Sequence, residues 1–277
     1  MSEAERIDIA GASVSIWREA PRLAGLHTAA LGGFACDDAA SGAAVLDGAV
    51  RRLAREGFGA VLGPMDGDTW SAHRLVVESD GSAPFLLEPH NPAHYPDAFE
   101  AAGFERVAAY VSSRAPAGAP KALARKDVKL RPFDAAHAAR DLSRLYQLTS
   151  QAFAGNAFYK PISEERFVAA AAPFLTALDP DLSLLAEDEN GELVGFLFGY
   201  PNYAEGATPS SVVVKTLAST KPGVGLVLVR AAHIAAERRG FTHVIHALMH
   251  ETNLSVRMSK TFGGRPFRRY ALWGKQL

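Results

Sequence analysis

One cysteine, Cys36, stands in 277 residues. The chain therefore has no means of forming an internal disulfide or a cysteine-based zinc centre, and a reducing cytoplasm is the expected setting. No apolar run approaches the ~20 residues of a membrane span, and the acidic opening MSEAERID lacks the features of a signal peptide, so no membrane partner is expected. Excess charge of one sign is missing too: 29 Lys and Arg face 30 Asp and Glu, which argues against a globally basic nucleic-acid binder. There is no Walker A loop, no complete GxGxxG and no standard metal-ligand spacing, so no metal is expected. What remains is ordinary globular material, 48% hydrophobic and 21% charged. It suffices for a core, and at this length two domains or one large one are expected.

The near-neutral total hides an uneven distribution. Residues 211–277 hold eleven basic and two acidic residues, a charge of +9, which leaves −10 for the first 210. A polyanion partner would suit the last quarter of the chain; solvated helix and strand faces account for the same charges. Between 112 and 127 the text SSRAPAGAPKALARKD carries prolines, a glycine and no hydrophobic period. We read 116–127 as a linker between domains at 1–115 and 128–277.

The letters also repeat. GAAVLDGAVRRLAREGFGAVL (42–62) and GLVLVRAAHIAAERRGFTHVI (225–245) align at an offset of 183 residues, with Gly42 on Gly225 and Gly57-Phe58 on Gly240-Phe241. Val45, Leu46, Ala49 and Leu53 fall at helical spacing, as do Leu228, Val229, Ala232 and Ala236. Each segment reads as glycine, amphipathic helix, Gly-Phe break and buried strand. Upstream, Gly11 meets Gly191 at an offset of 180; downstream, Gly103 meets Gly263 at 160. The offsets imply a 23-residue insertion in the first copy, near 74–95. Ahead of Gly191 the second copy has about sixty residues, with a strand at 128–132, two helical stretches and a strand at 183–187; the first copy has ten before Gly11.

In the second copy an Asn190-Gly191 hairpin precedes a strand at 211–218, a glycine-containing loop, a helix, strands at 243–249 and 267–273, and a helix between them. Antiparallel strands followed by a strand–loop–helix–strand unit make the class α+β, an α/β mixed sheet. In the loop, Lys221, Gly223, Val224 and Gly225 run into a helix, where backbone N–H groups and the helix dipole suit a phosphate or pyrophosphate.

This strand–loop–helix, with Gly240 behind it and Asn253 opening the next helix, resembles the GNAT superfamily of N-acetyltransferases, and 128–277 follows its element order throughout. The resemblance implies two GNAT-like units in tandem, the N-terminal one truncated and degenerate. It implies acetyl-CoA or another acyl-CoA as co-substrate, with the pantetheine arm along Leu217 and Ala218 and the pyrophosphate on the loop from Lys221 to Gly225, with Asn253 nearby. The first copy has Asp37 and Asp38 ahead of its loop, where carboxylates would repel a pyrophosphate, so the second copy is expected to bind. Two positions depart from the family pattern. Thr220 replaces a Gln or Arg, and Ser259 replaces the tyrosine that protonates the leaving thiolate.

The implied chemistry is direct attack by an amine, on a small molecule or peptide, in a ternary complex. His250 and Glu251, near a strand end, are the expected base region, and Ser259 stands in the acid's position. His246 also fits a satisfied core histidine, and Asn253 a helix N-cap. Asn156, Phe158 and Tyr159 lie where GNAT relatives shape an acceptor pocket. Asp66, Asp68, His73, Glu88 and His90 form no standard motif, and Trp70 and Tyr95 suit an interface or pocket wall. Two alternatives stand beside the enzyme: a non-catalytic acyl-CoA-binding regulator, and transfer from a charged tRNA. Oligomeric state is left open.

Overall fold

The computed structural model describes residues 4–119, 125, 127–134 and 137–277. Of the expected linker, 120–124 and 126 lie outside the described residues, as do 135 and 136, the start of the helical stretch expected over 135–153. The chain divides into two compact units, one of 1–110, 156–160 and 268–277, the other of 111–155 and 161–267.

Unit 1 opens with the hairpin β1 (Glu5–Ile9) and β2 (Ala12–Trp17), followed by β3 (Thr28–Cys36), α1 (Ala39–Arg55) and β4 (Ala60–Gly63). β5 (Leu75–Ser79) and α2 (Tyr95–Ala101) come next, and β6 (Glu105–Pro116) starts here. Val45, Leu46, Ala49 and Leu53 of α1 pack with Val14, Leu31, Phe99 and Trp273 into one core. Unit 2 contains β7 (Val128–Pro132), α3 (Ala138–Phe153), α4 (Glu164–Ala171), β8 (Ser183–Asp188) and β9 (Leu193–Pro201). It continues through β10 (Ser211–Ser219), α5 (Val224–Arg238), β11 (His243–His250) and α6 (Leu254–Thr261), after which β12 (Arg265–Gln276) begins. The α5 residues Leu228, Val229, Ala232 and Ala236 are fully buried against β9 and β10. A separate cluster of Leu142, Leu145, Leu148 and Leu185 seats α3.

The repeat in the letters is a repeat of structure. Adding 183 to the bounds of β3 returns those of β10, and adding 160 to those of β6 returns those of β12. The parallel pairs keep the same register, Thr28 opposite Ala60 and Ser211 opposite His243. Both Gly-Phe breaks make the same C-terminal cap. Gly57 and Gly240 take positive φ, at 86° and 82°, and the Phe58 and Phe241 amides reach back to Leu53 and Ala236. A Cβ resists that conformation, which is why glycine punctuates both helices. Among the described residues, β7, α3 and α4 precede the second copy's hairpin.

The units differ from the 1–115 and 128–277 partition in their last strands. Residues 268–277, the end of the second copy, lie in unit 1, where β12 pairs antiparallel with β4 and β5. Residues 111–116, the end of the first copy, lie in unit 2. β6 and β12 are copies of one strand with almost the same alternation of burial, so each can fill the other's place. The 23-residue insertion supplies β5 and the loop after it, pinned by buried Arg268, whose guanidinium bonds Glu88 and Ser82.

Gly195 on β9 is the point where α5 meets the sheet. A Cβ there would lie 2.5 Å from Val224 Cγ1 and 2.9 Å from Leu228 Cδ1. Gly195→Val is expected to cost unit 2 about 1–3 kcal/mol through overpacking. Gly48 in α1 has nothing within 4 Å of the equivalent atom, and Gly48→Ala should stabilise unit 1 by about 0.5–1 kcal/mol. Urea midpoints moving the other way would contradict this packing.

Candidate functional site

The parallel pairing of β10 with β11 covers only Ser211–Val214 against His243–His246. β10 runs on to Ser219, bonded on its other side to β9 with a bulge at Lys215. β11 turns at Leu248, whose φ is +55°, a strained value for a leucine, and whose N–H donates to Ser112 Oγ at 3.1 Å. Two parallel strands therefore part after four residues and leave a V between them.

The helix following β10 points its N-terminus from the same strand end. Thr220 N–H is fixed to Val194 O at 3.1 Å, and Gly223, at φ +80°, begins α5 without a side-chain cap. Among the described residues no acceptor meets the N–H groups of Gly225 and Leu226 in the first turn. Uncapped donors at a helix N-terminus suit an anion. Gly225 lies against β10: a Cβ there would be in ordinary contact with Leu217 at 3.5 Å and Ser219 Oγ at 3.4 Å. Leu217 and Gly225 are thus neighbours, and Ala218, between Leu217 and Ser219, is buried opposite Phe196. Val224 is buried below the loop. Lys221 is bonded to Asp188 at 2.7 Å, which holds the Asp188 carboxyl below its ordinary range. Arg125 escaped the sequence reading because it sits in text without periodicity. Its guanidinium pairs with Asp127 and donates to Pro222 O, at the loop itself.

The expected catalytic residues divide. His250 ends β11, and its Nδ1 lies 2.9 Å from Thr252 Oγ and 3.3 Å from the Thr252 amide nitrogen. Glu251 follows as an exposed carboxylate. Asn253 has N-cap backbone angles but makes no side-chain cap.

Ser259 is only 1% exposed and lies inside the fold. Its Oγ is 2.8 Å from His246 Nδ1, His246 Nε2 is 2.9 Å from His233 Nε2, and His233 Nδ1 is 2.9 Å from Gly118 O. The carbonyl can only accept, and that sets every proton in the chain. His233 donates from Nδ1, His246 donates from Nε2, and Ser259 donates its hydroxyl proton to His246. Ser259, expected in the acid's position, is thus a buried donor to His246. Glycine at 264 makes the room, because a Cβ there would fall 2.2 Å from Ser259 Oγ. His246 is the satisfied core histidine, and burial pushes His233 down to about 4 and His246 to about 3.

In unit 1, Asp66, Asp68 and His73 share one turn, with Asp66 N–H donating to Ala72 O and His73 Nδ1 2.8 Å from Ser71 O. Asp68 caps the turn at Trp70 and Ser71, and Glu88 pairs with Arg268. No group of three metal-binding side chains occurs among the described residues. Trp70 Nε1 donates to Lys160 O at 3.0 Å and its ring meets Tyr159, so the Asn156–Lys160 stretch belongs to this unit. Tyr95 meets Phe34 edge to face. No described helix is long and apolar enough to cross a membrane.

No protein-family model matches the chain, and no curated protein matches it in sequence. Solved structures do match. A GCN5-related N-acetyltransferase from Sphaerobacter thermophilus superposes with a TM-score of 0.59 at 15% identity, covering 96% of this chain and 76% of that one. A tandem GNAT protein from the clavulanic acid biosynthesis pathway gives 0.54 at 13%, covering 96% and 79%. A GCN5-related glucosamine N-acetyltransferase region of a fungal multi-domain GH3 β-N-acetylglucosaminidase gives 0.56 at 12%, covering 96% and 31%. The fold is that of the GNAT N-acetyltransferases, in tandem.

The histidine chain predicts an acid-sensitive unit 2. Unfolded histidines take up protons below about pH 6.5, whereas the buried pair stays neutral until about 4 and 3. Stability therefore falls as pH drops through that window, by up to about 1.4 kcal/mol per unit for each histidine. The depressed carboxylates of this unit lose their contribution only below about 4. Hydrogen exchange of the α5 amides, corrected for intrinsic rate, should show lower protection at pH 5 than at pH 7. Equal protection would contradict the neutral chain.

Proposed function

We propose that the protein is an acyl-CoA-dependent N-acyltransferase whose second copy binds acetyl-CoA, or another acyl-CoA, and presents its thioester to an amine. The observation that carries this reading is the conjunction in unit 2 of a strand V and an uncapped glycine-led helix, joined through Leu217 and Gly225. The pantetheine would lie along Leu217 and Ala218 in the V, and the pyrophosphate would take the Gly225 and Leu226 N–H groups, with Gly223 and Val224 shaping the turn. Lys221 would have to leave Asp188 to reach a phosphate. Asn253, opening α6, is the remaining expected cofactor contact. A backbone N–H of β10 past the bulge would polarise the thioester carbonyl and meet the charge of the tetrahedral intermediate.

The base falls to the end of β11. The Nδ1 of His250 is already engaged by Thr252, which turns the role toward the Glu251 carboxylate, acting directly or through water. The amine gives up one proton, and the departing thiolate takes one from solvent, since Ser259 has none to spare. The acceptor is a small-molecule or peptide amine. A second reading, a non-catalytic acyl-CoA-binding protein, is favoured by that same inward-turned serine. The basic surplus of 211–277 supports a tRNA donor poorly, because Lys221, Arg239, Arg268 and Arg269 pair with acidic residues of the first 210.

Calorimetry should find one equivalent of acetyl-CoA per chain, and none with Gly225→Glu, which sets a carboxylate on the phosphate position. Thiol release across a panel of amines should then separate enzyme from binder; binding without turnover favours the second reading. Ser259→Ala should cost less than about tenfold in kcat, whereas a general acid is worth about 10²–10⁴. A loss of that size would restore Ser259 as the acid.

A further inference from the structure

The first copy contains the same parting of strands, and its own side chains fill it. β3 and β4 pair through Thr28–Ala30 against Ala60–Leu62 and then diverge. Past that point Met65 N–H donates to Leu31 O at 2.7 Å, and Gly33 N–H donates to Asp66 Oδ1 at 2.8 Å. Under the 183-residue offset Met65 corresponds to Leu248 and Leu31 to Val214. In unit 2 the Leu248 N–H goes instead to Ser112.

The chain makes room for the aspartate. A Cβ on Gly32 would lie 2.0 Å from Asp66 Oδ1, and the residue corresponding to Gly32 in the second copy is Lys215. Gly33 takes φ +52° to aim its N–H at the carboxylate. Burial raises the Asp66 carboxyl, and the Gly33 hydrogen bond offsets this in part. At the helix, Asp38 occupies the position of Lys221. Its carboxylate accepts from Ser41 N–H at 2.8 Å, and Ser41 Oγ accepts from Asp38 N–H, a closed capping box on α1. The strand divergence and the helix N-terminus are each met here by an aspartate.

We propose that unit 1 holds a latent acyl-CoA site occluded by its own carboxylates, Asp66 in the place of the acyl carbonyl and Asp38 in the place of the pyrophosphate. The Gly33 N–H corresponds to that of Thr216, on the stretch of β10 expected to face the thioester. A carboxylate oxygen accepts that hydrogen bond as a carbonyl oxygen would, and excludes it by volume and charge. The proposal rests on the reading of unit 2 for the identity of the ligand, but its test does not need unit 2 to bind.

The test is equilibrium dialysis with acetyl-CoA at up to millimolar concentration. Asp38→Ala/Asp66→Ala should bind one equivalent more than the unmodified protein, more weakly than the first. The same pair in a Gly225→Glu background should raise binding from none to one. Should the unmodified protein bind nothing, the reading of unit 2 fails, while a gain of one equivalent in the pair still supports the latent site. Asp66→Asn keeps the acceptor and the bulk, and should gain nothing. If the pair does not fold, Asp66→Ala with its α1 cap intact should take up acetyl-pantetheine, which has no pyrophosphate. A folded variant, checked by circular dichroism and melting, that binds no more than the parent overturns the proposal.

Discussion

Two parallel strands that stop bonding each other after three or four residues expose backbone donors and acceptors that need partners. Unmet buried polar groups are expensive, so each copy must answer the gap it opens. Unit 1 answers from within the first copy, through Met65 and Asp66. Unit 2 sends Leu248 N–H to Ser112 and keeps β10 on β9. The same contrast recurs at the helix that follows, closed by Asp38 and Ser41 in one copy and uncapped at Gly223 in the other. Two copies of one backbone thus differ in a few side chains at one strand end.

The last strands tie this to the duplication. β6 and β12 carry interchangeable patterns, and β12 bonds β4 across Trp273–Gln276 in unit 1. Ser112, the residue that takes Leu248 N–H, comes from the end of β6 and so from the first copy. The second copy's V therefore depends on a residue its own half of the sequence does not contain. The two copies of the sequence thus do not coincide with the two compact units.

Charge followed the fold in the same way. The +9 of the last quarter read as a possible polyanion surface, yet Arg268 is buried on Glu88, Arg269 pairs with Glu78, and Arg239 pairs with Asp179. Those carboxylates belong to the acidic remainder. A linear count separates charges that the fold brings back together.

Much of the architecture was legible because it rests on periodicity and on glycine. Helical spacing marked the buried faces of α1 and α5, Gly57 and Gly240 marked their ends, and constant offsets carried the repeat into strand register. The candidate cofactor loop was legible for the same reason, since glycine suits the positive φ of Gly223. Long-range partnership was not legible. Nothing local shows that Ser259 gives its proton to His246, that Arg125 reaches Pro222, or that Asp66 lies across Gly32. The sequence by itself determined the repeated unit, its helices and strands, and the loop suited to an anion, all of which depend on neighbours within a few positions. Only the tertiary structure decided how each strand divergence is bridged, because that turns on hydrogen bonds between residues tens to more than a hundred positions apart.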